Sequence, residues 1–111
     1  MMNLAKLIHE INRAYCQSIG DDSQPPWEEA PDWHRKISRD AVQFLIDNPQ
    51  AGPENLHNKW LSEKERAGWK YAPVRNVEKK EHPCMVPFCE LSQEDRTKDH
   101  LVLGAVRAVL S

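Results

Sequence analysis

Residues 53–76 read PENLHNKWLSEKERAGWKYAPVRN, a stretch that contains a helix together with its start and stop signals. Proline at position 53 suits the first helical position, where its missing N–H leaves no hydrogen bond unmade. Gly68 suits the left-handed position that follows a last helical turn. The sequence therefore predicts a helix at about 54–67, with Trp69 directly after it. The side chains expected to face inward are Leu56, Trp60 and Ala67.

Three more helices are predicted on either side of this stretch, at about residues 3–18, 32–47 and 93–110. In each, apolar residues recur every three or four positions, which is typical of a helix with one buried face. The first helix presents Leu4, Leu7, Ile8, Ile11, Ala14 and Tyr15. The second presents Trp33, Ile37, Ala41, Phe44 and Leu45.

Residues 69–91 have a different pattern, with prolines at positions 73, 83 and 87. Two short extended pieces are predicted near 69–74 and 85–88, joined by a charged loop as a small hairpin. Such a two-stranded element needs helices to support it. The predicted fold class is therefore mainly α, an α+β arrangement with little strand: four main helices and a short two-stranded β element.

The length of 111 residues suits one compact domain. Within it, residues 1–52 are expected to form a helical segment that packs on residues 53–111. The formal net charge of −2 gives no field that favours nucleic acid, so no nucleic-acid partner is expected. No apolar run approaches the roughly 20 residues of a membrane span, and the charged N-terminus does not resemble a signal peptide.

The cysteine count is odd: Cys16, Cys84 and Cys89. Free thiols in a reducing compartment are the simplest interpretation, so a cytoplasmic location is expected. His82, Cys84 and Cys89 form H-x-C-x4-C, but the paired C-x2-C unit of structural zinc sites is missing, so no metal site is expected. No nucleophile with a nearby base and no glycine-rich phosphate loop stands out. The sequence therefore predicts neither an enzyme nor a cofactor.

The densest polar and aromatic cluster lies in the second half of the chain and predicts a ligand site. His57 and Trp60 are three apart on one helix face, and Trp69 and Tyr71 are two apart in an extended segment. Flat rings and a cation suit a planar base with phosphate. The alternative is that the tryptophans are core residues and the basic residues a solvated loop. The candidate ligand-binding residues are His57, Trp60, Trp69, Tyr71, Arg75 and His82, with Lys79 and Lys80 beside them.

Four pieces of the second half, in order, resemble the RyR domain, the repeat of ryanodine receptors. They are NLHNKW at 55–60, GWKYAPVRN at 68–76, K-x-x-H-P-C-M-V-P-F at 79–88 and L-S-x-E-D at 91–95. Ala72 stands where the family usually has glycine, and Asn76 where it often has aspartate. HEINRAYC at 9–16, DSQPPW at 22–27 and APDW at 30–33 resemble the segment that precedes this domain in small phage-type proteins.

The resemblance implies a compact helical domain with a small β element and no catalysis. It also implies a bacterial or phage-type stand-alone member of the family, whose prokaryotic copies have been proposed to sense nucleotide-derived signals. The expected function is therefore a non-catalytic module that binds a nucleotide-like small ligand through the aromatic and basic residues named above. The alternative is a protein–protein interaction or structural module with no small ligand.

Overall fold

The computed structural model describes residues 3–110 and contains four α-helices. They are α1 (Leu4–Ser18), α2 (Asp32–Asp47), α3 (Pro53–Arg66) and α4 (Gln93–Leu110). Each agrees with its predicted range to within one residue, and the mainly α fold class is confirmed. Two short 3₁₀ turns, Trp27–Glu29 and Phe88–Glu90, precede α2 and α4. Residues 1 and 2 begin the first predicted segment and residue 111 ends the second, and these three lie outside the described residues.

The end of α3 has the geometry that its glycine predicts. Gly68 adopts φ +90°, and its N–H donates to the Glu65 carbonyl at 3.0 Å. The N–H of Trp69 reaches back to the Lys64 carbonyl, also at 3.0 Å. This pair of bonds is a Schellman motif, which satisfies carbonyls that the helix leaves without partners. Its consequence for the site is that the Trp69 indole is held immediately beyond the last turn of α3.

The core lies where all four helices meet, with α1 packed against both α2 and α4. Both predicted segments contribute to it. Its buried members are Ile8, Leu45, Ala51, Leu56, Leu103 and Val106. Burial of such aliphatic side chains stabilises the native state by about 1.5–3 kcal/mol each.

Some inward-facing predictions were wrong. The buried face of α1 is centred on Ala5, Ile8, His9 and Cys16, whereas Ala14 is exposed. Ala67 caps the end of α3 and is exposed. Trp33 was predicted as core but is 43% exposed, because it stands at the rim of a cavity. Apolar periodicity indicates a helix reliably but does not show which apolar residues line an opening.

The β element pairs β1 (Lys70–Tyr71) with β2 (Glu81–His82) in parallel, so the predicted hairpin was wrong. The chain turns back inside the connecting loop, where Asn76 forms an antiparallel bridge with Glu81. Residues 85–88, predicted as the second strand, form an irregular bend and the start of a 3₁₀ helix. Flanking prolines lack the N–H that a ladder needs, which disfavours a strand there. None of the helices within residues 3–110 combines the length and apolarity needed to cross a bilayer.

Candidate functional site

A cavity of about 260 Å³ opens between the four helices and the segment that carries the β element. Five of the six predicted ligand-binding residues line it: His57, Trp60, Trp69, Arg75 and His82. The sixth, Tyr71, is not among the lining residues, and its side chain is 56% exposed. Tyr71 and Trp69 are two apart, but the strand that would place them on one face begins only at residue 70.

Lys64 is a cation of this cavity that contacts two of its indoles. It lies one turn beyond Trp60 on α3, so both side chains share one helix face. Its ammonium lies 4.4 Å from the ring centroid of Trp69 and 5.4 Å from that of Trp33, over both rings. Burial, followed by repulsion from Arg75, lowers the pKa of Lys64 below its ordinary value. The two indoles stabilise this partly desolvated charge through their electron-rich faces.

A second wall comes from α2 and belongs to the N-terminal segment. Trp33 and His34 stack with ring centroids 5.3 Å apart and planes inclined by 15°. His34 in turn meets the buried His9 edge-on at 5.0 Å. Burial, with a smaller contribution from His9, lowers the pKa of His34 to about 4. The stack therefore fixes the Trp33 ring beside a histidine that is neutral at pH 7.

His82 is held in one orientation within the aromatic wall. Its Nδ1 accepts the backbone N–H of Cys84 at 3.0 Å, and its ring meets Trp60 edge-on at 5.2 Å. Burial, followed by the charge of Arg75, lowers the pKa of His82 to about 4. Because the neutral ring uses Nδ1 as an acceptor, its proton lies on Nε2. The wall thus contains one fixed imidazole N–H donor.

His57 lies deeper and is only 4% exposed. Its Nε2 donates to the Val86 carbonyl at 2.7 Å, since a carbonyl can only accept. Its ring packs against Trp60, with centroids 5.6 Å apart, and against Phe88 at 6.1 Å. His57 therefore supports the wall from behind and holds the segment after β2 against α3.

The first turns of α4 supply two acidic residues, Asp95 and Asp99, to the cavity lining. Asp95 accepts from Ser92 Oγ at 3.0 Å and lies 3.3 Å from the Lys98 ammonium. Asp99 lines the cavity, and burial, with repulsion from Asp95, raises its pKa to about 7. Burial and the nearby Asp95 also raise the pKa of Cys84 to about 12, so this thiol is protonated at pH 7.

The two cations of the aromatic side, Lys64 and Arg75, form no ion pair with a described residue, although Glu63 and Asp21 lie near enough to interact with them electrostatically. Within the described part of the chain, no carboxylate lies within ion-pairing distance of Lys64 or Arg75. Lys80, a further basic residue of the loop, does not point at the site in this way: its ammonium donates to the Ala67 carbonyl at 2.7 Å. Two positive charges that form no ion pair with a described residue lie beside three indoles, an environment that attracts an anion carrying a flat ring.

Sequence reasoning missed several lining residues: Trp33, His34, Lys64, Asp95 and Asp99. Lys64 had a usable signal, since it follows His57 by seven and Trp60 by four positions on the same helix. Trp33 and Asp99 come from helices that tertiary packing alone brings to the cavity. No group of three His, Cys, Asp or Glu side chains within residues 3–110 is placed to hold a metal ion.

The sequence pattern of one protein family matches this chain. The RyR domain pattern covers residues 46–110, which is more than half of the 111 residues. The match includes the last two residues of α2, all of α3, the β element and α4, and so contains the Trp60, Trp69, Arg75 and His82 positions. Helix α1 and most of helix α2, which complete the cavity, precede the matched residues. The chain belongs to the RyR domain family.

Proposed function

We propose that this RyR-type chain is a non-catalytic binding module that holds a nucleotide-like small ligand in the cavity between α2, α3 and the β element. The observation that carries this proposal is that Lys64 and Arg75, which form no ion pair with a described residue, line the same cavity as the indoles of Trp60 and Trp69. Guanidinium and ammonium groups bind phosphate oxygens, and indole faces stack on planar bases. His82 adds a neutral N–H donor for a further polar group of the ligand.

The size of the cavity supports a small ligand. Its volume of about 260 Å³ is close to the lower end, roughly 300 Å³, of small-molecule sites in proteins. A single nucleotide unit suits this space, and a larger ligand would extend through the opening. Trp60 and Trp69 are each half-buried, so their rings keep surface that a base can cover.

The protonation states around the cavity support binding without catalysis. A cysteine attacks as its thiolate, but burial raises the pKa of Cys84 to about 12 and that of Cys16 above its ordinary value. A covalent mechanism through either of these cysteines therefore lacks a thiolate nucleophile at pH 7.

The test is a thermal-shift panel of ATP, ADP, NAD, ADP-ribose and cyclic nucleotides. A ligand at about a hundredfold excess over Kd stabilises the native state by about 2.7 kcal/mol. In a domain of this length the melting temperature then rises by roughly 10 °C or more. We expect at least one clear positive, and we expect Arg75→Ala to abolish it. Because Arg75 is exposed, this substitution has little effect on stability itself.

A protein–protein interaction module is the second candidate function. The observation that favours it is the apolar surface of the loop around the β element, where Tyr71, Val74 and Val77 are 56%, 73% and 48% exposed. Clustered apolar exposure of this kind is typical of contact surfaces. No response to the panel at millimolar ligand, with folded protein, would favour this candidate over the ligand-binding one.

A further inference from the structure

Two indoles from different parts of the chain, Trp33 and Trp69, both contact the Lys64 ammonium. Because this ammonium lies 4.4 Å from the Trp69 centroid and 5.4 Å from the Trp33 centroid, the two centroids are at most about 9.8 Å apart. Each ring presents its face to the cation. We call this space, bounded by Trp33 and Trp69, the indole slot.

The largest centroid separation that the two distances allow, about 9.8 Å, is enough to admit a planar ring. Offset-stacked aromatic rings have centroids about 4.5–7 Å apart, so a ring between two walls at the short end of this range needs about 9–10 Å. Stacking of Trp33 on His34 holds one wall in place, and the helix-end motif of α3 holds the other. Trp33 is 43% exposed, so the slot is accessible from solvent.

We propose that the indole slot is the base-binding subsite of the cavity, that Lys64 occupies it only in the absence of ligand, and that Trp33 is a specificity-determining residue. This inference rests on the proposed function and names the part of the ligand that the slot takes, a planar heteroaromatic ring. As the ring enters, the flexible Lys64 side chain turns toward the ligand phosphate, where Arg75 already provides a positive charge.

Part of the proposed subsite lies outside the residues that the RyR pattern matches. Trp33 precedes that match, which begins at residue 46, whereas Trp69 and Lys64 lie within it. The base would therefore be sandwiched between the N-terminal segment and the matched repeat. The RyR-matched portion supplies the phosphate contacts and one stacking wall, and the N-terminal segment supplies the other wall.

The experiment measures affinity by titration of a panel nucleotide that stabilises the wild-type protein, beside ribose 5-phosphate, which lacks the base. Stacking of a base on an aromatic side chain contributes about 1–3 kcal/mol by alanine substitution, which corresponds to roughly 5- to 150-fold in Kd. We expect Trp33→Ala to weaken nucleotide binding by about tenfold or more and to leave ribose 5-phosphate unchanged. The matched control is Tyr71→Ala, since Tyr71 is an exposed aromatic that does not line the cavity.

The outcomes separate this inference from the function on which it rests. If no nucleotide of the panel binds the wild-type protein, the proposed function fails and the indole slot with it. If a nucleotide binds and Trp33→Ala binds it as well as Tyr71→Ala does, only the slot is overturned. Equal loss of nucleotide and ribose 5-phosphate affinity in Trp33→Ala would also overturn it, because the defect would then lie outside base stacking. Circular dichroism confirms that each variant is folded.

Discussion

His57 Nε2 donates a hydrogen bond to the carbonyl oxygen of Val86 at 2.7 Å, across 29 positions of sequence. His9 makes a similar bond to the Pro25 carbonyl, also at 2.7 Å. Both imidazoles are 4% exposed, and each attaches a proline-containing loop to a helix. A buried carbonyl needs a donor, and a helix-borne histidine supplies one without a strand. In this protein two histidines therefore position the loops around the cavity.

Replacement of His57 by alanine should lower stability whether or not ligand is present. It removes the imidazole donor to the Val86 carbonyl, and leaving a buried acceptor without its partner costs about 1–3 kcal/mol. The melting temperature should fall by roughly 4 °C or more. The matched control is His100→Ala on the exposed face of α4, which should change it little. Equal melting temperatures in the two variants would contradict this structural role for His57.

Asp99 should make stability depend on pH between about 4 and 7. Its folded-state pKa of about 7 lies above the ordinary value of 3.8, so in this range the native state keeps a proton that the unfolded chain has lost. Its contribution to stability therefore falls as pH rises from 4 to 7 and is constant above 7. The difference amounts to at most about 4 kcal/mol.

The uncharged isostere Asp99→Asn isolates this effect, because the contributions of His34 and His82 are present in both proteins. We expect the variant to gain melting temperature relative to wild type as pH rises from 4 to 7, with no further gain above pH 7. Melting curves at half-unit pH intervals measure this difference. A difference that stays constant across the range would show that Asp99 titrates normally.

The helices were predictable because each has a local signal for its limits. Pro53 and Gly68 mark the ends of α3, and apolar periodicity gives the length of α1, α2 and α4. The β element was not predictable in the same way. Its strands have two residues each, and a parallel pair depends on the turn at Asn76 that returns the chain. No pattern of two alternating residues can indicate strand direction.

The candidate site was predictable only along α3 and the segment that follows it. Trp60, Trp69, Arg75 and His82 are close in sequence, so their residue types alone drew attention to them. Trp33 and Asp99 reach the same cavity through the packing of α2 and α4, which sequence spacing does not reveal. Tyr71 was grouped with Trp69 by strand alternation, and its exposure follows from the strand beginning one residue later.

The three cysteines should differ in reactivity toward iodoacetamide at pH 8. All three are free, with Cys16 buried, Cys84 half-buried and Cys89 exposed. Burial raises the pKa of the first two, so little of either is thiolate at this pH. Mass spectrometry of the folded protein should show alkylation of Cys89 first, with the others reacting only after denaturation. Labelling of Cys84 as rapid as that of Cys89 would show that its thiol is more accessible than the structure indicates.

Lys64→Met should separate ligand binding from stability. Methionine keeps the unbranched shape of the side chain, one heavy atom shorter, and packs well against aromatic rings. The substitution removes the charge and with it the cation–π contacts with Trp33 and Trp69, but it also relieves the cost of burying an ammonium. Because these effects oppose each other, stability should change by no more than about 1 kcal/mol. A charge-assisted bond to phosphate contributes about 1.5–3 kcal/mol, so nucleotide affinity should fall by roughly 10- to 100-fold.

The matched control for Lys64→Met is Lys79→Met, which removes an exposed lysine of the loop outside the cavity lining. Both variants lower the net positive charge of this region equally, so a general field effect would weaken binding equally in both. We expect isothermal titration to show the large loss only in Lys64→Met. We also expect the affinity of that variant to depend less on salt, because one partly buried charge no longer contributes. Equal losses in the two variants would mean that the ligand senses the charge of the loop and not the ammonium between the indoles.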